Sequence, residues 1–443
     1  MRQALSFRGR NLLLCTSTAL LTLVVLSRPA RAQLLDQYIQ PDIYGLSTEP
    51  SVTVLSRARP AYDSLGTRFG NVTVRPELQE SIGYEDNVTA SSKPHGSAII
   101  ETNAKLQGVY DSSNLNGAAT LTVDDVRYPS QNLQSYTNWT AGVGGSYQVG
   151  RDLLIASVDH VNLTQTLQDL DVPQLDQALA YQINTVRLGY RIVFTRLFVQ
   201  PNFSIADYTY DNGFALGRSY LQSYRNRTVY TPGVTVGYEL FPRANLVLVI
   251  RDGIGKYTAN GTSPFTRDFN DVSVLGGVDI NPAGLIRYRL LGGYEVRTFT
   301  STAYKTIAQP TVEASIIWTP TGLTTVTGVA ARSIQDSASE TTVGLTESRV
   351  TLRVDHELQR NVLLRGSAGY AVDEYAGSKT SQTLYTAGAG VTYLMNRNMQ
   401  VTASYDFTSR RSSGNLNLGT LAGQPIGASY SDNRYLVQLR LAL

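Results

Sequence analysis

The stretch Ile286-Arg287-Tyr288-Arg289-Leu290-Leu291-Gly292-Gly293-Tyr294-Glu295-Val296-Arg297 decides the fold. Successive side chains of an extended chain point to opposite faces. Ile286, Tyr288, Leu290, Tyr294 and Val296 therefore share one face, and Arg287, Arg289, Glu295 and Arg297 share the other. The period recurs. Val350, Leu352, Val354 and Leu358 oppose Arg349, Arg353, Asp355 and Glu357; Val362, Leu364, Ala368, Tyr370 and Val372 oppose Arg365, Ser367 and Asp373. Val186, Leu188, Tyr190 and Ile192 oppose Thr185, Arg187 and Arg191, and the chain closes on the same alternation from Tyr435 to Leu443. Such runs, roughly 9–11 residues long, can cross a bilayer core at a steep tilt. Strands of soluble sheets are nearer ~5–6 residues.

Short turns punctuate the pattern at Asp111–Asn114, Gly150–Asp152, Phe194–Arg196, Pro242–Asn245, Asn281–Gly284, Thr319–Gly322, Gln359–Asn361 and Asn396–Asn398. Longer polar connections lie between them, at Asp86–Gly96, Thr164–Gln177, Asp211–Tyr224, Tyr257–Arg267 and Ser409–Asp432. Alternating short turns and long loops predict an all-β fold, a transmembrane antiparallel up-and-down β-barrel of about 18 strands. A soluble propeller also repeats at about 40 residues, but it packs four short strands into that period.

Composition agrees. Charged residues are 16% of the 443, against about 25% for an average soluble domain. A mean hydropathy of −0.14 is what alternating strands average to. No later segment has 18 uninterrupted apolar residues, so no transmembrane helix is expected.

Arg2, Arg8 and Arg10, the apolar run Asn11–Leu26 and the sequence Ala30-Arg31-Ala32 predict a signal peptide over residues 1–32, cleaved near Ala32. Cys15 follows Leu14, where a lipoprotein needs a small residue, and leaves with the signal. Five arginines and no acid go with it. The 38 basic residues of the chain fall to 33 against 35 acidic ones, so no basic nucleic-acid footprint remains. Residues 33–70 read as a periplasmic tether, poorly structured and too short for a plug domain, and residues 71–443 as an integral outer-membrane barrel. The tether is a possible docking site for a partner.

The segment Arg59-Pro60-Ala61-Tyr62-Asp63-Ser64-Leu65-Gly66-Thr67-Arg68-Phe69-Gly70, followed by Pro76 and by Tyr84-Glu85-Asp86-Asn87, resembles the opening of the "putative β-barrel porin type 2" family of Gram-negative envelopes. Beyond residue 88 the resemblance is one of pattern. It implies outer-membrane passage of polymer or solute. Barrels of this size resemble those paired with periplasmic polysaccharide-export proteins that lack a pore of their own.

About 18 strands enclose water rather than a packed core. Arg187, Arg191, Arg287, Arg289, Arg297, Arg349, Arg353 and Arg365 are the expected lumen-lining cations. They either pair with Glu295, Asp355, Glu357 or Asp373 to stiffen the wall or guide an acidic ligand. Outward tyrosines form an interfacial belt, and a few inward ones could stack sugar rings. An enzyme is not expected. Asp159-His160 and Asp355-His356 are strand neighbours whose side chains diverge, His95 is a loop residue, and no nucleophile elbow, metal motif or cofactor motif is present. Gly142–Gly145 and Gly388–Gly390 are strand glycines, not phosphate loops. The reading is a channel in contact with outer-membrane lipid and lipopolysaccharide, with polysaccharide export first. The alternatives are a general or solute-selective diffusion porin, and a structural or adhesin-like barrel without conductance.

Overall fold

A computed structural model of the protein describes residues 52–443, apart from residues 174, 216, 259–262, 282–284, 340–341 and 415–426. The signal segment, Cys15, residues 33–51 and most of the expected turn at 281–284 lie outside the described residues.

Eighteen long strands follow the chain. They are β1 Val72–Glu85, β2 Ser97–Asp111, β3 Leu115–Arg127, β4 Tyr136–Val149, β5 Asp152–Gln165 and β6 Leu179–Val193. Next come β7 Leu197–Tyr210, β8 Arg227–Phe241, β9 Ala244–Tyr257, β10 Phe269–Ile280, β11 Ile286–Phe299 and β12 Ile307–Thr321. Last are β13 Thr324–Asp336, β14 Gly344–Gln359, β15 Val362–Tyr375, β16 Ser381–Leu394, β17 Met399–Ser413 and β18 Tyr430–Ala442. Each pairs antiparallel with its sequence neighbours, and β18 pairs with β1 from Glu77↔Ala442 to Glu85↔Arg434. The cylinder is therefore closed and has no free edge. Eighteen strands ~4.8 Å apart and tilted ~40° give a diameter of roughly 35 Å.

Side-chain alternation sets inside from outside. On β18, Tyr435, Val437, Leu439 and Leu441 are exposed toward lipid, while Leu436, Gln438 and Ala442 are buried on the lumen face. On β11, Tyr294 and Leu290 face out, and Glu295, Arg297 and Leu291 face in. An exposed apolar outer wall is what a bilayer requires, because lipid rather than protein covers it.

The inner wall is not uniformly polar. Val247 and Val249 of β9, Leu275 of β10 and Leu291 of β11 form a buried apolar patch on it. Here β10 and β11 approach closely. A Cβ on Gly277 would stand 1.9 Å from the Leu290 carbonyl oxygen, and one on Gly293 would stand 1.8 Å from that of Val274. Glycine is required on both strands.

The end with the short turns, where β1 begins and β18 ends, is the periplasmic one, and the long connections are extracellular. Connections at 128–135, 300–306, 337–343 and 376–380 join the five expected at the extracellular end. The stretch 52–70, expected to be poorly structured, is instead folded. Arg57 N–H donates to the Thr53 carbonyl, Tyr62 N–H to that of Arg59, and Gly66 N–H to that of Leu443. Strand Thr67–Phe69 then pairs with the start of β1. The segment is ordered because its polar groups find partners on the barrel, which composition cannot reveal.

Candidate functional site: a lumen narrowed from both ends

At the periplasmic mouth the segment 53–66 covers the part of the opening bounded by β13 to β18 and β1. Val54 N–H donates to Thr325 Oγ1 of β13 at 2.8 Å. The Arg59 guanidinium is buried, with Nη2 on Glu357 Oε2 of β14 and on the Val54 carbonyl, both at 2.7 Å. Arg57 Nη1 reaches the same carboxylate oxygen at 3.4 Å. Further round the same rim Arg397 Nε donates to the Pro60 carbonyl at 2.6 Å. Asp63 accepts from the Arg59 amide, and Gly66 takes φ +70°, a conformation that favours glycine. Arg59, Pro60, Tyr62 and Gly66 of the family motif thus shape this closure. Gly70, at φ +59°, turns the chain into β1, where Pro76 accepts a bond from Leu443 N–H.

The rest of the motif sits at the opposite rim. Tyr84 is exposed on the outer face. The Asp86 carboxylate accepts from Asn433 N at 2.8 Å and from its Nδ2 at 2.7 Å. Asn87, fully buried, donates its amide to Asp432 Oδ1 at 3.0 Å and its Nδ2 to the Ser431 carbonyl at 2.9 Å. These bonds seal the first strand to the last.

The connection 166–178 leaves its root on β5 and β6 and crosses the lumen. Gln168 Nε2 donates to Glu85 Oε1 and to the Val88 carbonyl, and Tyr430 OH donates to the Gln168 carbonyl at 2.7 Å. Asp171 reaches the opposite wall. Oδ2 accepts from Ala338 N–H at 2.6 Å, and Oδ1 accepts from Tyr375 OH at 3.0 Å and Ser337 OH at 3.2 Å. Its own amide donates to Gln382 Oε1 at 2.9 Å. Asp171 has φ +52°, a strained setting for a side-chain-bearing residue, and these four bonds hold it there. Burial pushes its carboxyl up to about 6, opposed by nearby Arg225 and by the accepted hydrogen bonds.

Beside the connection, cations and aromatics interleave. Arg225 stacks over Tyr210 at 4.0 Å, Arg227 over Tyr208 at 4.1 Å, and Arg297 over Phe269 at 4.1 Å. Asp336 of β13 takes Arg227 of β8 and Arg297 of β11, each at 2.8 Å. A bond spanning five strands is possible only through the interior. These inward tyrosines carry no residue-level signal in the sequence, since outward ones share their spacing.

The twelve expected wall residues all stand on the inner face. Six of the eight arginines are in ion pairs among the described residues: Arg187 with Asp159, Arg289 with Asp279, Arg297 with Asp271 and Asp336, Arg349 with Glu347, and Arg353 and Arg365 with Asp355. Arg191 stacks over Phe198 at 3.8 Å. Of the expected acids, Asp355 is a wall partner, while the others make different contacts. Glu357 binds arginines of the N-terminal segment, and Glu295 accepts the Ile334 amide at 3.1 Å. Asp373 lies in the cavity beside Glu347 and Arg349. Arg287 has no such contact among the described residues. Asp159 and Asp355 face the lumen while His160 stacks on Trp139 and His356 meets Thr324 outside, so neither pair can act together.

A closed lipid-facing cylinder with a charged interior defines an outer-membrane β-barrel channel. The chain belongs to the family described as "Putative beta-barrel porin 2", whose model matches residues 59–441. No curated protein matches it. Among solved structures it is similar to a "bacterial polysaccharide outer membrane secretin" at 10% identity and TM-score 0.36, over 85% of this chain and 100% of that one. It is also similar to OpdK of Pseudomonas aeruginosa at 13% identity and TM-score 0.41, over 84% and 99%. The third is OccK2 (OpdF) of Pseudomonas aeruginosa in complex with glucuronate, at 9% identity and TM-score 0.44, over 84% and 98%. At such identities the likeness is one of fold alone.

Proposed function

We propose that this outer-membrane channel carries polysaccharide out of the cell, opening when a periplasmic polysaccharide-export protein engages its N-terminal segment. The supporting observation is the removable closure at the periplasmic mouth. Segment 53–66 is held by polar contacts to Thr325, Glu357 and Arg397, with Val54 its one deeply buried apolar side chain. Polar contacts can be exchanged for those of a partner, and a conduit for large cargo needs a door that a constitutive pore does not. In this reading residues 1–32 are removed near Ala32, the periplasmic partner engages the segment 53–66, and lipid and lipopolysaccharide contact the outer wall. The inner arginines would line the path.

A solute-selective diffusion porin is the second reading, favoured by connection 166–178, which narrows the lumen. A deletion strain separates the two. Polymer retained in the periplasm supports export. Normal polymer release with altered uptake of small solutes overturns it in favour of diffusion.

A further inference from the structure

Between the N-terminal segment and the periplasmic half of the wall lies a cavity of about 320 Å³. That is within the ~300–1,000 Å³ range of small-molecule sites. Six basic and four acidic side chains line it. Most are matched. Arg59 and Arg57 hold Glu357, Arg365 holds Asp355, and Arg440 holds Glu77 at 2.6 Å. Arg75 of β1 is not, and Lys105 of β2 makes no close ion pair, only sharing at longer range the Glu77 that Arg440 already holds. The two cations project inward from adjacent strands, where Arg75 registers with Gln107 and Lys105 with Glu77. Nη1 of Arg75 is shielded from solvent without any hydrogen-bond partner. A shielded, unmatched donor costs about as much as a lost hydrogen bond, and an anion restores it.

The surroundings suit a ring-shaped guest. On the facing wall Gly388 and Gly390 of β16 line the cavity without side chains. A Cβ on Gly388 would stand 2.7 Å from Ser367 Oγ and 2.8 Å from Asp406 Oδ1, so that wall has to stay flat. Tyr62, Gln400 and Thr402 offer hydroxyl and amide groups.

We propose that this cavity binds the carboxylate of an acidic saccharide unit, with Arg75 and Lys105 as the binding cations. The choice of a saccharide rests on the export reading; the choice of an anion rests on the orphaned Arg75 donor and on Lys105 beside it, whose one neighbouring acid is already held by Arg440. The test is calorimetric titration of the detergent-solubilised mature protein with tri-galacturonate, neutral galactotriose and monomeric galacturonate. The acidic trimer is expected to bind at least tenfold more tightly than the neutral one. Arg75→Gln with Lys105→Gln should remove that preference, with folding checked by heat-modifiable gel mobility, while Lys93→Gln in an extracellular loop keeps it. A monomer as tight as the trimer upholds the site and assigns it to free sugar acids. Equal affinity for acidic and neutral trimers, no binding of either, or a double variant that binds like the parent overturns the proposal. A deletion strain that retains polymer alongside a flat titration sinks this site and leaves export standing. Normal polymer release with a bound acidic trimer does the reverse.

Discussion

Replacing Arg59 with alanine should open the periplasmic mouth without unfolding the barrel. Both partners of the Arg59–Glu357 pair are buried, with side chains 8% and 7% exposed, so solvent does little to weaken it. Removing one member of a buried pair costs roughly 3–5 kcal/mol. Here Glu357 would keep Arg57 at 3.4 Å, which places the loss at the lower end, about 3 kcal/mol. That loss falls on the closed state alone, because the strands make no use of Arg59. At about 1.4 kcal/mol per decade the ratio of closed to open should drop about 100-fold. Single-channel recording in planar bilayers reads this directly as the fraction of time open. A charge-swapped pair, Arg59→Glu with Glu357→Arg, should recover part of the closed state. An Arg59→Ala protein that folds normally yet stays open within twofold of the parent would refute the latch.

Three further outcomes are expected. Asp171 has a carboxyl pKa of about 6 when connection 166–178 is docked, against 3.8 when free, so docking favours the protonated acid. The added stability is fully present below about pH 4 and is lost as pH rises through about 6, by up to about 3 kcal/mol. Hydrogen exchange at Asp171 and Ala338, corrected for intrinsic rate, should therefore be slower at pH 5 than at pH 7.5, and Asp171→Asn should flatten the difference; equal protection at both pH values would contradict it. Asn87→Ala removes the buried bonds to Ser91 and Ser431 and should cost about 2–3 kcal/mol, read as a lower urea midpoint for loss of heat-modifiable mobility. Val437→Arg places a charge on the lipid face and should cost about 2–4 kcal/mol of folding into vesicles, whereas Gln438→Arg on the lumen face should be tolerated; similar losses for both would invert the assignment of faces.

The barrel was legible because its signal is local. Alternation through 286–297 and the turn at Gln359–Asn361 depend on residues a few positions apart, and a one-residue error would flip every side chain. The fillings of the lumen are non-local. Arg59 meets Glu357 some 298 positions away, and Asp171 meets Tyr375 across 204. Nothing near residue 59 or 171 encodes the partner, so a structured segment reads as a tether and a crossing connection as an ordinary loop. Val247 and Leu275 were missed for another reason: a strand that is apolar on both faces loses the alternation that marks inside from outside. The wall arginines were placed on the right face, but whether each pairs or stays free depends on register across strands, which the turns alone do not fix.

The bonds that Asp86 and Asn87 make to Asp432 and Asn433 tie the timing of assembly to the tail of the polypeptide. Until the last hairpin arrives, the sheet is an open ribbon whose two margins are bare and ready to pair with any passing strand. The ring can shut only in one concluding event that bridges almost the whole polymer, the slowest kind of contact to find. Cells making this protein would need holdase chaperones to guard the ribbon through that wait, and any defect at the seam should surface as degraded or clumped material rather than as a leaky pore.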